Sequence, residues 1–309
     1  MKAIGVIEPD FMPRLFEVAE PIARPGAVVV DIAAASVSDF DRAAVGGRWA
    51  GSGRRPEPTL LGRDFVGTVA AVGEYVLHID VGMRVAGVLP PAVARQPGTF
   101  AERVAVPADL LAPVPDGVDL AHVAAVGLAG ITALDALDAL AVGGLEILVI
   151  HGPVTGTGGF ALELAKARGA VVAVVTPPRY ARLAWERGAD FVISEDASAT
   201  NTIKRVRNAL GGYSDAALHV AGDLAVAAGV VRPGGTFTSV GDALPPLSVA
   251  DYVPTVVRPS GHKLADLLFK VAAGRLHSRV RRSVSFDQVV APHDCSGGDA
   301  DDRVVVMRA

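Results

Sequence analysis

A glycine-rich turn directly after a strongly apolar run constrains the fold of this chain more than any other feature of its sequence. The run covers residues 145–150, the turn reads HGPVTGTGG over residues 151–159, and a helical pattern follows to residue 168. A short, nearly continuous apolar run is typical of a parallel strand that is covered on both faces. The combination predicts a strand–turn–helix unit whose main-chain amides and positive helix end bind a pyrophosphate.

The turn supplies most of the predicted contacts with a dinucleotide cofactor. Glycine is required there because a Cβ atom would block the approach of the phosphates and the close packing of the helix against the strand. The alternative interpretation is a tight turn without a ligand. The candidate cofactor-binding residues of the turn are Gly152, Val154, Thr155, Gly156, Thr157 and Gly158.

The end of the next predicted strand, residues 171–175, indicates which dinucleotide is bound. An acidic side chain is expected at that point if the ribose of NAD is held, and the chain has none there. Thr176 and Arg179 could instead hydrogen-bond a 2′-phosphate, and Tyr180 could stack on the adenine. The sequence therefore predicts NADPH rather than NADH, unless Arg179 is only a solvated residue in the first turn of a helix.

The remainder of the chain divides into a β-rich part and an alternating part. Before residue 121, short β-branched runs are bounded by glycine, proline and aspartate, at 28–32, 66–72 and 103–106. After it, strand and helix patterns alternate, which is typical of a doubly wound parallel sheet. The final predicted strand, 303–307, is expected to return to the first domain. We predict an α/β protein with a β-rich domain at 1–122, completed by 254–309, and a cofactor domain at 123–253.

Composition excludes several classes of function. The chain has 309 residues, a net charge of −4 and a single cysteine, Cys295. A mildly acidic chain lacks the basic field that holds a nucleic-acid backbone, and one cysteine allows no zinc site built on several thiolates. The N-terminus fits no signal peptide, and each apolar stretch is interrupted before about 18 residues. We expect a cytoplasmic protein that binds neither nucleic acid nor membrane.

Six short motifs are spread over nearly the whole chain. They are MKAI at 1–4, LGRDFVGTV at 61–69, VGMRVAG at 81–87, GTFAE at 98–102, GLAGITA at 127–133 and RPGGT at 232–236. In order and spacing they resemble the medium-chain dehydrogenase/reductase superfamily, in its zinc-free quinone oxidoreductase (zeta-crystallin-like) branch. No single motif carries the resemblance.

The resemblance implies a GroES-like catalytic domain, a Rossmann cofactor domain and an active site in the cleft between them. It implies hydride transfer from NADPH to a quinone or an α,β-unsaturated carbonyl, both small-molecule substrates. It also implies a homodimer formed by edge pairing of the cofactor-domain sheet. Thr132, Gly241 and Val257 stand where the family places residues near the nicotinamide.

The resemblance also bears on metal and substrate. Zinc-dependent relatives have a cysteine in the loop occupied here by residues 36–39, and a His-Glu pair in place of Arg63 and Asp64. Serine and arginine are poor or impossible zinc ligands, so we expect no catalytic metal. The candidates for the substrate pocket are Ser38, Arg63 and Trp49. Trp49 either takes the place of a tyrosine that many relatives have before Gly62 or only packs against its neighbours. No catalytic residue is assigned.

Departures from the family pattern leave a second function open. Pro153 has no N–H to offer a phosphate, and the family tyrosine is missing. The alternative is a nucleotide-binding protein of the same fold with little or no turnover, in a binding or structural role. His219 stands where relatives often have aspartate, and is either a structural histidine or a residue that faces the cofactor. Asp41 is interpreted as a helix or turn cap rather than a proton donor.

Overall fold

Met1–Ile131 and Arg258–Ala309 together form one unit of the fold (unit 1), and Thr132–Val257 forms a second (unit 2). The computed structural model describes residues 1–8, 10–47, 58–90, 97–240, 251–286 and 303–307.

The described strands are β1 (Lys2–Val6), β2 (Arg14–Glu17), β3 (Ala27–Ser36), β4 (Thr59–Leu60), β5 (Asp64–Val72), β6 (Arg84–Val88), β7 (Arg103–Pro107), β8 (Leu111–Pro113), β9 (Ile147–His151), β10 (Val171–Thr176), β11 (Phe191–Ser194), β12 (Ser214–His219), β13 (Val231–Ser239), β14 (Val280–Ser285) and β15 (Arg303–Met307). The described α-helices are α1 (Asp39–Val45), α2 (Leu120–Ala139), α3 (Thr157–Ala167), α4 (Ala181–Glu186), α5 (Ala199–Leu210), α6 (Leu224–Val230) and α7 (Gly261–Ala272). Two short 3-10 turns cover Ala108–Leu110 and Pro178–Tyr180.

Unit 1 is built on antiparallel pairing, with one parallel pair at the edge. A seven-stranded sheet has the order β14-β15-β3-β5-β6-β8, with β7 also paired to β3, and a three-stranded sheet has the order β2-β1-β4. Val28, Val30 and Ile32 of β3 alternate along the strand and point into one core, as the strand period of two requires. Strand β15 pairs with β3, so the last strand returns to the first part of the chain as the sequence predicts.

Unit 2 is a five-stranded parallel sheet with the order β11-β10-β9-β12-β13. The chain moves outward from β9 to β11 in one direction and from β12 to β13 in the other. The strand order therefore reverses between β9 and β12, and ligands of such sheets bind at the carboxyl ends of the strands at this point. The predicted fold class, a β-rich domain with a doubly wound parallel-sheet domain, is confirmed.

Two predicted element boundaries differ from the structure for local reasons. Strand β9 begins at residue 147 rather than 145 because Leu145 adopts a φ of +67° and is 86% exposed, which extends the preceding turn. The helix expected to begin near Arg179 is divided into a 3-10 turn and α4. Pro177 and Pro178 hold the chain extended and then begin the 3-10 turn early, since proline fixes its own φ.

Helix α2 is the one helix in the described ranges that could cross a membrane by length and composition. In its most apolar window, 72% of the residues are buried inside the protein, as in the core helix of a folded domain. Gly127 and Gly130 lie within α2 without ending the helix, and its apolar stretch is interrupted by Asp135 before it reaches about 18 residues.

Candidate functional site

The glycine-rich turn joins β9 to α3 at the carboxyl edge of the parallel sheet. Gly156 is the N-cap of α3, and the first helical hydrogen bond runs from Phe160 N to Gly156 O at 3.1 Å. The N–H groups of Thr157, Gly158 and Gly159 therefore precede the intrahelical hydrogen bonds. A helix end of this kind attracts an anion through its donors and its dipole.

Close contacts explain why glycine stands at two positions of the turn. A Cβ on Gly158 would lie 2.2 Å from the carbonyl oxygen of Pro153. A Cβ on Gly152, which has a φ of +129°, would lie 2.7 Å from the backbone nitrogen of Ala221. Both distances are far below van der Waals contact. Glycine is therefore required at 158 for the first turn of α3 to pack against the turn, and at 152 for the end of β9 to pass close to the segment after β12.

In the glycine-rich turn, the backbone rather than the side chains is placed to contact a ligand. Val154 and Thr155 are buried, whereas Gly156 and Thr157 are half-buried. Pro153, also half-buried, carries no N–H. The main-chain amides at the start of α3 are therefore the groups of this turn that are best placed to bind phosphate oxygens.

The residues predicted to select the cofactor follow β10 but differ in exposure. Thr176 is buried, and its Oγ1 has no hydrogen-bond partner among the described residues. Arg179 is exposed, and its Cζ lies 4.8 Å from the centroid of the Tyr180 ring. Tyr180 is only 5% exposed. Because Tyr180 is buried beneath Arg179, its ring is not open to stack on an adenine in this conformation.

A cavity of about 340 Å³ lies at the carboxyl ends of β10 and β11, beside the start of α6. Three carboxylates line it, those of Glu195, Asp196 and Asp223, together with Pro177 and Pro178. Sequence reasoning missed these acids, although Glu195 directly follows strand β11. Carboxylates at this edge accept hydrogen bonds from ribose hydroxyls or an adenine amino group, and they repel a phosphate.

Two histidines lie side by side at the ends of β9 and β12. The ring centroids of His151 and His219 are 5.7 Å apart. His151 Nε2 lies 3.0 Å from Glu195 Oε1. His219 Nδ1 lies 2.9 Å from Ser239 Oγ, and its Nε2 lies 3.2 Å from the carbonyl oxygen of Gly222. Since both nitrogens of His219 have partners, the structure favours its interpretation as a structural histidine.

We predict that unit 2 loses stability as the pH falls from 7.5 to 5.5. Burial lowers the pKa of His151 and of His219, against the opposing charges of Glu195 and Asp223. A folded histidine with a lowered pKa binds fewer protons than the unfolded one, so acidification below about 6.5 favours unfolding. The urea midpoints at the two pH values should differ less in His219→Gln than in the wild type, since glutamine keeps a donor and an acceptor but does not titrate. The same pH dependence in both proteins would contradict this prediction.

Ser38 and Asp41 form a capping arrangement in unit 1. Ser38 is the N-cap of α1, and its Oγ donates to Asp41 Oδ2 at 2.7 Å. Asp41 Oδ1 accepts from the backbone N–H of Gly62 at 2.6 Å. Burial raises the pKa of Asp41, while these hydrogen bonds and the charge of Arg63 oppose the rise. Asp41 therefore acts as the cap that its position predicts, and the Ser38 hydroxyl is already engaged by it.

Five other predicted site residues are placed as follows. Trp49 and Gly241 lie outside the described residues. Thr132 lies in α2 and Val257 in the segment before α7, both half-buried and both at the limits of unit 2. Arg63 is buried in unit 1, where it lies against Phe40, with its Cζ 3.7 Å from the ring centroid.

Comparisons with known proteins support an oxidoreductase of this fold. The chain matches the Alcohol dehydrogenase GroES-like domain over residues 24–116 and the Zinc-binding dehydrogenase family over residues 156–259. It is 31% identical to an alcohol dehydrogenase of Geobacillus stearothermophilus over 297 residues, which cover 84% of each chain.

Two further relatives match over a shorter length. A quinone oxidoreductase of Pseudomonas aeruginosa is 35% identical over 162 residues, 50% of this chain and 47% of the relative. A trans-enoyl reductase of Xenoacremonium sinensis is 27% identical over 206 residues, 60% of this chain and 54% of the relative. The matches thus span about half the length of these two relatives.

A solved mycobacterial structure complexed with NADPH has the same fold. It superposes with a TM-score of 0.84 and 24% identity, over 99% of each chain. At this level of identity the likeness establishes the fold.

Proposed function

The chain belongs to the medium-chain dehydrogenase/reductase superfamily, and from this premise we propose that it is a member of the quinone oxidoreductase branch and an NADPH-dependent reductase of quinones or α,β-unsaturated carbonyls. The observation that carries the proposal is the start of α3. Three consecutive amides precede its first hydrogen bond, at the point where the order of the parallel sheet reverses. This is the place where a dinucleotide pyrophosphate binds in such sheets.

The residues present fit a dinucleotide. The amides of Thr157 and Gly158 would hold the pyrophosphate, and the cavity beside β10 and β11 is of a size to receive the adenosine end. When bound, NADPH supplies a hydride from its reduced ring. The Thr176 hydroxyl, buried without a partner among the described residues, is available to a ribose or phosphate oxygen at the end of β10.

The preference for NADPH rests on Arg179 and is opposed by the acids of the cavity. The exposed guanidinium can pair with a 2′-phosphate, whereas Glu195 and Asp223 disfavour a second negative charge nearby. Both acids have other interactions: Glu195 lies 3.0 Å from His151, and Asp223 caps α6 through the N–H of Ala225 at 2.9 Å. We propose that Arg179 decides the balance in favour of NADPH.

Replacement of Arg179 by alanine should weaken NADPH binding by about 1–3 kcal/mol more than NADH binding, because only NADPH offers a phosphate to this charge. Dissociation constants of both cofactors, measured by calorimetry on the wild type and on Arg179→Ala, provide the test. Arg182→Ala is the matched control, since Arg182 is exposed in α4 and paired with Glu186. An equal loss for both cofactors would refute the assignment of the 2′-phosphate to Arg179.

The residues at the place of a catalytic metal do not fit zinc, although one matched family is described as zinc-binding. Arg63 brings a positive charge there, and Asp64 Oδ1 and Oδ2 accept from the N–H groups of Ser36 and Leu128 at 2.9 and 3.0 Å. Over the ranges described, no group of three His, Cys, Asp or Glu side chains could hold a metal ion. We therefore propose a reaction that does not need zinc, in which hydrogen-bond donors polarise the substrate carbonyl.

Oxidation of NADPH, followed by absorbance with a panel of quinones and enones and repeated in the presence of EDTA, tests the proposed activity. Turnover that EDTA does not reduce is the expected result. The alternative, a nucleotide-binding protein with little turnover, is favoured by Pro153 and by the two buried side chains that follow it in the turn. Tight NADPH binding without turnover on any member of the panel would establish that alternative.

A further inference from the structure

Arg63 is a buried cation whose hydrogen-bonding capacity is only partly used. It precedes β5 and is 2% exposed. Its Nη1 donates to the carbonyl oxygen of Pro97 at 3.2 Å, while its buried Nε has no hydrogen-bond partner in the described part of the chain. A guanidinium carries five N–H donors and stays protonated in proteins. A buried donor without an acceptor is costly, and it marks a position where a ligand atom could complete the arrangement.

The contacts of Arg63 leave one particular edge of the guanidinium available. The Phe40 ring lies 3.7 Å from Cζ and covers one face of the guanidinium plane. This contact does not use any of the N–H donors, which lie in the plane. Nη1, on the side of Cδ, is directed to Pro97. The edge formed by Nε and Nη2, called here the side-on edge, presents two parallel N–H groups. Their spacing matches the two oxygens of a carboxylate.

Neither nearby carboxylate of the protein occupies this edge. Asp41 accepts from the N–H and Oγ of Ser38 and from the N–H of Gly62. It influences Arg63 through its charge alone: burial lowers the pKa of Arg63 to about 10, and Asp41 opposes that shift. Asp64 accepts from Ser36 and Leu128. Arg63 therefore remains charged at neutral pH, with its side-on edge directed to neither acid.

We propose that the side-on edge of Arg63 is a subsite for a carboxylate group of the substrate, an inference that rests on the proposed reductase activity. The preferred substrates would then be quinones or unsaturated carbonyls that bear a carboxylate, rather than neutral ones. Because the guanidinium is almost completely enclosed, water competes little for its donors, and the pair with a carboxylate is strong.

A matched pair of enones tests the subsite: trans-benzoylacrylate, which carries a carboxylate, and its methyl ester, which does not. The ratio of kcat/KM for acid over ester should fall at least about tenfold in Arg63→Gln, the loss expected for a charge-assisted bidentate pair. Arg63→Lys keeps the charge without the planar fork and should give an intermediate ratio. Arg84→Gln, which removes an exposed arginine of unit 1 paired with Asp116, should leave the ratio unchanged.

A purely structural role for Arg63 gives a different pattern. If the role is purely structural, substitution of Arg63 lowers the melting temperature and reduces kcat/KM for both substrates by the same factor. An unchanged acid-to-ester ratio in both Arg63 variants therefore overturns the proposal. Arg63→Lys keeps the test decisive if Arg63→Gln fails to fold.

Calorimetric titration with benzoate separates failure of the subsite from failure of the proposed function. The full chain should bind benzoate, Arg63→Gln should bind it at least about tenfold more weakly, and Arg63→Lys should show an intermediate loss. Benzoate binding that depends on Arg63, without turnover of either enone, would leave the subsite standing and refute the reductase activity. Turnover of both enones, with an unchanged ratio and no benzoate binding, would refute the subsite and leave the activity standing.

Discussion

A Gly158→Val variant is expected to lose measurable binding of both NADPH and NADH. The Cβ would lie 2.2 Å from the carbonyl oxygen of Pro153, so the turn must move away from the first turn of α3. The amides that would hold the pyrophosphate are those of the same first turn. Forcing extra carbon atoms into such close packing also destabilises the fold, by about 1–3 kcal/mol. Calorimetric titration with each cofactor measures the first effect, and urea unfolding measures the second.

The matched control for this variant is Gly212→Val. Gly212 lies in the same unit, after α5, and a Cβ there would meet no atom within 4 Å. That variant should bind both cofactors as the wild type does. If Gly158→Val is folded and binds NADPH normally, the turn does not hold the phosphates.

The second large effect is expected from Glu163→Ala, which should lower the free energy of unfolding by about 3–5 kcal/mol. Glu163 and Arg187 form an ion pair between α3 and the end of α4, with side chains only 8% and 6% exposed. Removing the acid takes this counter-charge away from a buried guanidinium, and a buried charge that loses an ion-pair partner is strongly destabilising. Urea denaturation monitored by circular dichroism gives the free energy directly.

An exposed pair in the same unit provides the comparison. Arg182 and Glu186 lie 3.0 Å apart in α4, with side chains 90% and 54% exposed, so Glu186→Ala should cost less than about 1 kcal/mol. A double replacement of Glu163 and Arg187 by leucine and methionine should recover much of the loss, because it removes both buried charges. Equal effects of Glu163→Ala and Glu186→Ala would contradict the importance given to burial.

The cofactor unit could be predicted closely because its signals are local. The apolar run before the turn, the glycines and the helical pattern after them lie within about 25 consecutive residues. The structure places them in β9, the turn and α3. The boundary error at Leu145 arises from a left-handed residue that extends the turn, and no periodicity in the sequence records such a backbone angle.

The contacts around the site join residues that are far apart in sequence, so they were harder to predict from the sequence. Glu195 and Asp223 line one cavity because β10, β11 and the start of α6 meet at one edge of unit 2. The two acids follow different strands, β11 and β12, and the sequence does not give their separation. Tyr180 was predicted to stack on adenine from its position after β10. That position does not show that the side chain is buried, with the Arg179 guanidinium over its ring.

For Arg63 in unit 1, too, the sequence could predict the position of the residue but not its contacts. The family resemblance marked it as a candidate for the substrate pocket, from the position it occupies in the motif LGRDFVGTV. Its side-on edge could not be inferred in that way, because the edge is defined by the carbonyl of Pro97 and the ring of Phe40. The preference for NADPH likewise remains a prediction, supported by Arg179 and opposed by the acids of the cavity.

Isothermal titration of the full chain with NADPH and with NADH tests the central claim most directly, namely that the amides at the start of α3 hold a dinucleotide. The account predicts saturable binding of one NADPH per chain, weaker binding of NADH, and no heat from either cofactor with Gly158→Val. Absence of heat from both cofactors with the folded wild-type protein would contradict it.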